Sequence, residues 1–247
     1  MNREQREVVK KVNELLIAYF GMPKRNKKLP DPVDMLVATI LSQNTNDNNS
    51  YKAFQNLRKK YPTWEDVAKA KQSSVESAIK VAGLGKQKSK AIKNFLEKNY
   101  ELNNKITLDY LKKIDDSKAI ESLISYDGVG VKTTSCVLLF SMDRNICPVD
   151  THVNRTVNRI GIVSEKTHDK TFFALNKNFP DKIAHSFHTN LIRLGREICK
   201  PKNPSCGICP LKKLCQYDDK NLLSIKKHKQ NDFMLLDNVD SSSKNMK

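Results

Sequence analysis

Residues 126–152 read YDGVGVKTTSCVLLFSMDRNICPVDTH. Two glycines flank one aliphatic residue at Gly128-Val129-Gly130, after an apolar helix face that closes on Leu123 and Ile124. Glycine reaches backbone conformations that a Cβ resists, so a tight turn is expected there. The next helix is expected from about Val131 to Met142, carrying Val137, Leu138, Leu139 and Phe140. Main-chain N–H groups left bare at a helix start form an anion site, and phosphate is the obvious anion. The chain then returns through Pro148 to Asp150-Thr151-His152.

Lys132 and Asp150 are the two groups in this stretch suited to chemistry. Lys132 falls in the first turn of a largely apolar helix, where the helix dipole and burial both disfavour a cation. An amine so placed is a usable nucleophile toward a sugar C1′ or a carbonyl, giving a Schiff base. A carboxylate at Asp150 suits a developing positive charge or a proton transfer. The plainer readings are a solvated lysine and an Asp150 that caps a helix over 151–160.

The chain has 247 residues, with 44 Lys and Arg against 27 Asp and Glu, a net charge of +17. That excess favours a polyanion, nucleic acid first, with a lysine-rich surface as the rival. No apolar run is long enough to span a bilayer, so no membrane partner is expected. MNREQREVVKK lacks an apolar signal core, so the expected location is the cytoplasm, with the nucleoid.

Outward from the hairpin the pattern is helical. Val8, Val9, Val12, Leu15, Leu16 and Tyr19 recur at helical spacing over 3–20, and Gly21 ends the run. A loop at 21–32 carries Lys24, Arg25, Lys27 and Lys28, able to touch phosphates or simply to be solvated. Asp31-Pro32 opens a buried helix with Met35, Leu36, Val37, Ile40 and Leu41. It ends in the polar run Ser42–Asp47, suited to filling a gap or reading a base edge, or to helix capping alone. Helices are expected near 47–60, 64–70, 74–81, 86–99, 107–114 and 117–125, with Thr63 and Ser73 or Ser74 as caps. Gly83-Leu84-Gly85 breaks the series: an exposed leucine there can wedge into a base stack, or close a helix end. Further helices are expected near 151–160, 167–178 and 181–195. Alternating β-branched runs are scarce, so the fold reads as all-α. From 218 onward the sequence is polar and reads as a mobile tail, with DFMLLDNV a segment able to dock.

Cys199, Cys206, Cys209 and Cys215 stand at C-x6-C-x2-C-x5-C among three prolines and a glycine. So short a segment orders itself around a metal centre, and both Zn²⁺ and a [4Fe–4S] cluster accept four thiolates. Cys136 and Cys147 are expected to pack as small hydrophobes.

The hairpin with Lys132, the V-D-T-H stretch at Val149–His152 and the cysteine spacing together resemble the endonuclease III family of helix-hairpin-helix DNA glycosylases, over about residues 10–217. The resemblance implies two helical domains. One is a six-helix barrel over 30–145 that contains the hairpin, at about 117–142; the other joins 1–29 to 146–217 and holds a [4Fe–4S] cluster, with DNA across the groove between them. It implies a monomeric base-excision enzyme acting on double-stranded DNA with a damaged base or an abasic site, removing an oxidised pyrimidine. Lys132 would attack C1′ and nick the strand by β-elimination, with Asp150 in support. Gly128, Val129, Gly130 and His152 would contact DNA. Leu84 falls at the family's wedge position, and Asn44 where relatives place a glutamine that fills the vacated stack. Tyr126-Asp127 replaces the usual Leu-Pro of the hairpin. The rivals are a monofunctional mismatch glycosylase of the same fold, a non-catalytic DNA-binding module and a zinc-based regulator.

Overall fold

The computed structural model describes residues 1–25, 28–227 and 235–239. Lys27 of the basic loop and residues 228–234 and 240–247 lie outside it. Among the described residues the chain is helical and without strands, in two compact units: 1–25 with 145–227, and 28–144 with 235–239.

The second unit is built on two helices buried on nearly every side, small polar residues included. The first of these, α2 (Pro32–Ser42), is buried from Pro32 to Leu41 and starts on Asp31, whose carboxylate accepts from Val33 N at 2.8 Å. The other, α8 (Val131–Met142), is buried from Thr133 to Ser141 and packs along α2. Around this pair stand α3 (Asp47–Lys60), α4 (Trp64–Lys69), α5 (Gln72–Ile79), α6 (Gly85–Asn103) and α7 (Asp116–Ile124). Trp64 Nε1 donates to the buried carboxylate of Asp34 at 2.9 Å, which ties α4 to α2. Arg144, just past α8, donates to Asp116 Oδ1 at 2.8 Å and Ile114 O at 2.8 Å, and also to Leu111 O. The far end of α8 is thereby fixed to the start of α7.

The other unit holds α1 (Arg3–Phe20), α9 (Thr151–Ile160), α10 (His168–Asn176) and α11 (Ala184–Glu197). Helix α11 packs against both α1 and α9. Asn2 and Gln5 form a reciprocal capping box at the start of α1.

Three expectations are corrected. The helix expected at 107–114 is a short 3₁₀ turn, Asp109–Lys113, with few residues to bury. The cap expected from Ser73 or Ser74 is absent: α5 starts two residues earlier, at Gln72 behind Lys71, with no side-chain cap. The tail is not free throughout. Leu235 and Val239 are buried, and the turn Leu235–Asp237 packs on α2, α3 and α8, because these aliphatic residues find an apolar surface there.

Candidate functional site

The hairpin is α7, a six-residue turn and α8. Within the turn, Val129 N donates to Tyr126 O at 3.0 Å, and the Val129 side chain is buried. This corrects the expectation that its amide is uncovered: Val129 shapes the turn from within. Gly128 sits at φ +83°, and a Cβ there would stand 2.6 Å from Ala91 Cβ on α6. Gly130 differs, with φ −98° and open space where a Cβ would go. It caps α8 without a side chain, so no capping side chain covers the first-turn amides. Tyr126 replaces the expected aliphatic packing residue with an edge-on contact to Phe95, centroids 5.0 Å apart. Asp127 is exposed.

Lys132 lies two residues beyond Gly130, half-buried in the first turn of α8. Among the described residues no hydrogen bond or ion pair engages its ammonium, so it is available to a ligand. Its neighbour Thr133 receives a long contact from Gln43 Nε2, at 3.5 Å. Gln43 directly precedes Asn44, so this contact sets the turn after α2 beside the start of α8.

Asn44 and Leu84 share an unusual backbone state. Asn44 has φ +51° and Leu84 has φ +50°, and both are exposed. Asparagine tolerates the left-handed region; leucine rarely enters it. Leu84 is 48% exposed, so it does not close the preceding helix end as a buried contact. Leu84 thus stands exposed between two glycines in a backbone state that costs an aliphatic residue energy. Lys88, one turn further on, is nearly fully buried, whereas Lys86 and Lys90 of the same basic run are exposed.

In the other unit, Asp150 is the N-cap of α9: Oδ1 accepts from His152 N at 2.9 Å and Val153 N at 2.8 Å. The extended return that delivers it is pinned by residues the sequence reading did not single out. Asn176 exchanges hydrogen bonds with Cys147 N and O, at 2.7 and 3.0 Å, and the ring of His188 lies 3.0 Å from Pro148 O, which accepts. His152 meets Arg155 Nη2 at 3.2 Å, and burial holds its ring below the usual histidine range. The ring packs against Gly195 of α11: a Cβ on Gly195 would be 2.8 Å from His152 Cβ and 3.0 Å from its Nδ1. Its contacts are thus helix packing first. Cys136 and Cys147 are fully buried, and the Cys147 thiol points to Pro148 O at 3.7 Å.

The cysteine loop is hung from α9. Arg159 donates to Lys200 O at 2.7 Å and Pro201 O at 2.9 Å, reaches Cys199 Sγ at 3.4 Å, and stacks on Tyr217 at 4.2 Å. One turn earlier Arg155 Nε donates to Cys199 O at 2.9 Å. Both arginines belong to the repeat V-N-R-T-V-N-R, a signal the sequence carried and the reading passed over. Residues 221–226 close over the loop: Cys206 N donates to Asn221 O at 3.1 Å and Gly207 N to Ser224 O at 3.1 Å. A Cβ on Gly207 would collide with Leu222 O, so only glycine fits.

The four cysteines fit a cluster. Burial pushes the Cys209 thiol up to about 12, with Cys199, Cys215 and Cys206 near enough to disfavour its charge further. Burial raises Cys215 as well. Two partly buried thiols that resist ionisation need nearby positive charge to become thiolates, which a bound cluster would supply.

Comparison with known proteins agrees with this geometry. Residues 37–181 match the HhH-GPD superfamily base excision DNA repair protein family, and residues 199–215 match the iron-sulfur binding domain of endonuclease III. The chain belongs to that superfamily of helix-hairpin-helix base-excision repair proteins. The endonuclease III of Thermotoga maritima is 36% identical over 193 residues, covering 78% of this chain and 86% of that one. The endonuclease III of Sulfolobus acidocaldarius is 34% identical, covering 74% and 80%. A solved non-covalent endonuclease III–DNA complex superposes with a TM-score of 0.71 at 25% identity, covering 85% of this chain and 95% of that chain. A thermostable thymine-DNA glycosylase, 22% identical with a TM-score of 0.69 and covering 87% and 96%, shares the fold. Within the superfamily the chain is a member of the endonuclease III family. It is a DNA-binding, base-excision repair glycosylase and abasic-site lyase whose cofactor is a [4Fe–4S] cluster.

Proposed function

We propose that this enzyme acts as a monomer on duplex DNA carrying an oxidised pyrimidine, with Lys132 as the nucleophile and Asp150 in support. The observation that carries the reading is the half-buried, unengaged ammonium of Lys132 directly after the open space at Gly130. Nζ of Lys132 gives up a proton and attacks C1′, displacing the base. The glycosidic electron pair leaves with the base, which takes up a proton. Ring opening gives a Schiff base between Nζ and C1′; loss of a C2′ proton then expels the 3′ phosphate and nicks the strand. Asp150 stabilises the positive charge that develops as the base departs.

Phosphate binds at Gly130 and the first-turn amides of α8, in a turn that Gly128 and Val129 shape from within, which positions the enzyme without reading sequence. Leu84 wedges into the stack and Asn44 occupies the space the flipped nucleotide leaves. His152 lies at the DNA edge beside Asp150. Cys199, Cys206, Cys209 and Cys215 would hold the cluster, which orders 199–215 on α9. The enzyme works in the cytoplasm with the nucleoid; no helix among the described residues is long and apolar enough to cross a membrane.

Borohydride trapping on a duplex with one thymine glycol, wild type beside Lys132→Ala, tests this. An adduct in wild type that vanishes in Lys132→Ala is expected. Trapping on a plain abasic site alone would keep the nucleophile and refute the lesion. Trapping that persists in Lys132→Ala would refute the nucleophile.

A further inference from the structure

Lys88 is 2% exposed and sits in the first turn of α6, at the positive end of the helix dipole. Lysine is almost never so buried without a partner. Its partners are two main-chain carbonyls from different segments: Nζ donates to Leu41 O at 2.8 Å and to Ala82 O at 2.9 Å. Leu41 lies three residues before Asn44 and Ala82 two residues before Leu84. Each carbonyl therefore belongs to a segment that goes on to an exposed residue in the left-handed conformation. No other side chain among the hydrogen bonds described above joins these two segments.

We infer that Lys88 is a positioning residue which locks the Asn44 turn and the Leu84 loop to one rigid helix, so that both enter the DNA stack as a single unit. This rests on the proposed roles of Leu84 and Asn44, and goes beyond them by making the two insertions interdependent. The physical reason is stiffness. The Asn44 turn is otherwise held by the long Gln43–Thr133 contact and the Leu84 loop by packing of the Lys80–Ala82 turn on α3, and neither of these joins one segment to the other. The ammonium fixes both carbonyls within one hydrogen bond of the same atom, so neither segment shifts without displacing the other. Burial pulls the Lys88 ammonium down to about 8, so it is kept charged near neutrality against a desolvation cost, with the two carbonyls as compensation. An uncharged aliphatic residue would fill the same space at lower cost but would not bridge the two segments.

The test uses a duplex with a tetrahydrofuran abasic analogue and 2-aminopurine beside it, at saturating protein below the melting transition. The fluorophore brightens when its stack opens. Wild type is compared with Leu84→Ala, Asn44→Ala, Lys88→Met and the double variant Lys88→Met with Leu84→Ala. Lys88→Met is expected to lower the brightening about fivefold, and adding Leu84→Ala to it is expected to change little, the non-additivity of coupled sites. A loss of folded protein alone would scale every signal and leave the Leu84→Ala effect intact in the Lys88→Met background, which overturns the inference. If Lys88→Met unfolds, Lys88→Gln, which keeps one amide donor, carries the same comparison with the same two outcomes. If Leu84→Ala and Asn44→Ala both match wild type, the insertion roles themselves are refuted, and the inference with them.

Discussion

The two glycines of the hairpin are expected to fail in opposite ways, and the contrast can be worked from the structure. Gly128 has φ +83°, where an L residue costs roughly 1–2 kcal/mol. A Cβ added there would sit 2.6 Å from Ala91 Cβ on α6. Neither atom is the end of a flexible side chain, so backbone must move, at about 1–3 kcal/mol for an overpacked contact. Gly128→Ala is therefore expected to destabilise by roughly 2–5 kcal/mol, a melting shift of about 4–20 °C at this chain length. Gly130 has φ −98° and empty space around the added Cβ. Gly130→Ala loses only helix-cap preference, below about 1 kcal/mol. Its cost falls on the ligand, because the methyl group occupies the space beside the first-turn amides where phosphate approaches. Thermal unfolding by circular dichroism and binding to an abasic-analogue duplex separate the two. Gly128→Ala should melt early yet bind normally while folded; Gly130→Ala should melt like wild type and bind at least about tenfold more weakly, the loss of one charge-assisted phosphate contact. Equal melting shifts in the two variants would refute the division between a glycine that holds the fold and one that admits the ligand.

Asp150→Asn keeps an oxygen to cap α9, so stability should change by less than about 0.5 kcal/mol, while single-turnover base release should fall at least about tenfold through loss of the charge. Asp150→Ala should lose the cap as well, at about 1 kcal/mol in urea unfolding. For Lys88 the folded group titrates at about 8, below its ordinary 10.5, so above pH 8 the unfolded chain binds more protons and the contribution to stability rises with pH until about 10.5. Urea midpoints for wild type should thus gain on those of Lys88→Met across that window, by up to about 3 kcal/mol at roughly 1.4 kcal/mol per unit; a constant difference would refute the assignment. Leu235→Ala removes a fully buried side chain from the packing on α2, α3 and α8, and should cost about 2–5 kcal/mol in the same unfolding assay.

Local rules made much of this protein legible in one dimension. Helical spacing of apolar residues, Asp31-Pro32 ahead of α2, Thr63 ahead of α4 and Asp150 ahead of α9 are all settled within a few residues of chain, so sequence alone set those helices. The cysteine spacing and the hairpin likewise announced a cluster loop and a tight glycine turn, since both are made of consecutive residues. Other features depend on partners distant in sequence. Lys88 reads as one of three surface lysines, and only its helical phase with Ile92, Phe95 and Leu96 hints that it points inward; that it meets Leu41 O and Ala82 O is a tertiary fact. The uses of Gly128, Gly195 and Gly207 are equally hidden, because each is required by an atom of another segment: Ala91, His152 and Leu222. Arg155 and Arg159 gain their meaning only when α9 lies beneath Cys199, and Leu235 only when an apolar surface on α2, α3 and α8 is there to receive it. The sequence by itself determined the family of the chain and the place of most of its helices; the tertiary structure decided which side chains hold those elements together, because long-range packing alone brings a carbonyl, a sulfur or a Cβ from elsewhere in the chain within reach.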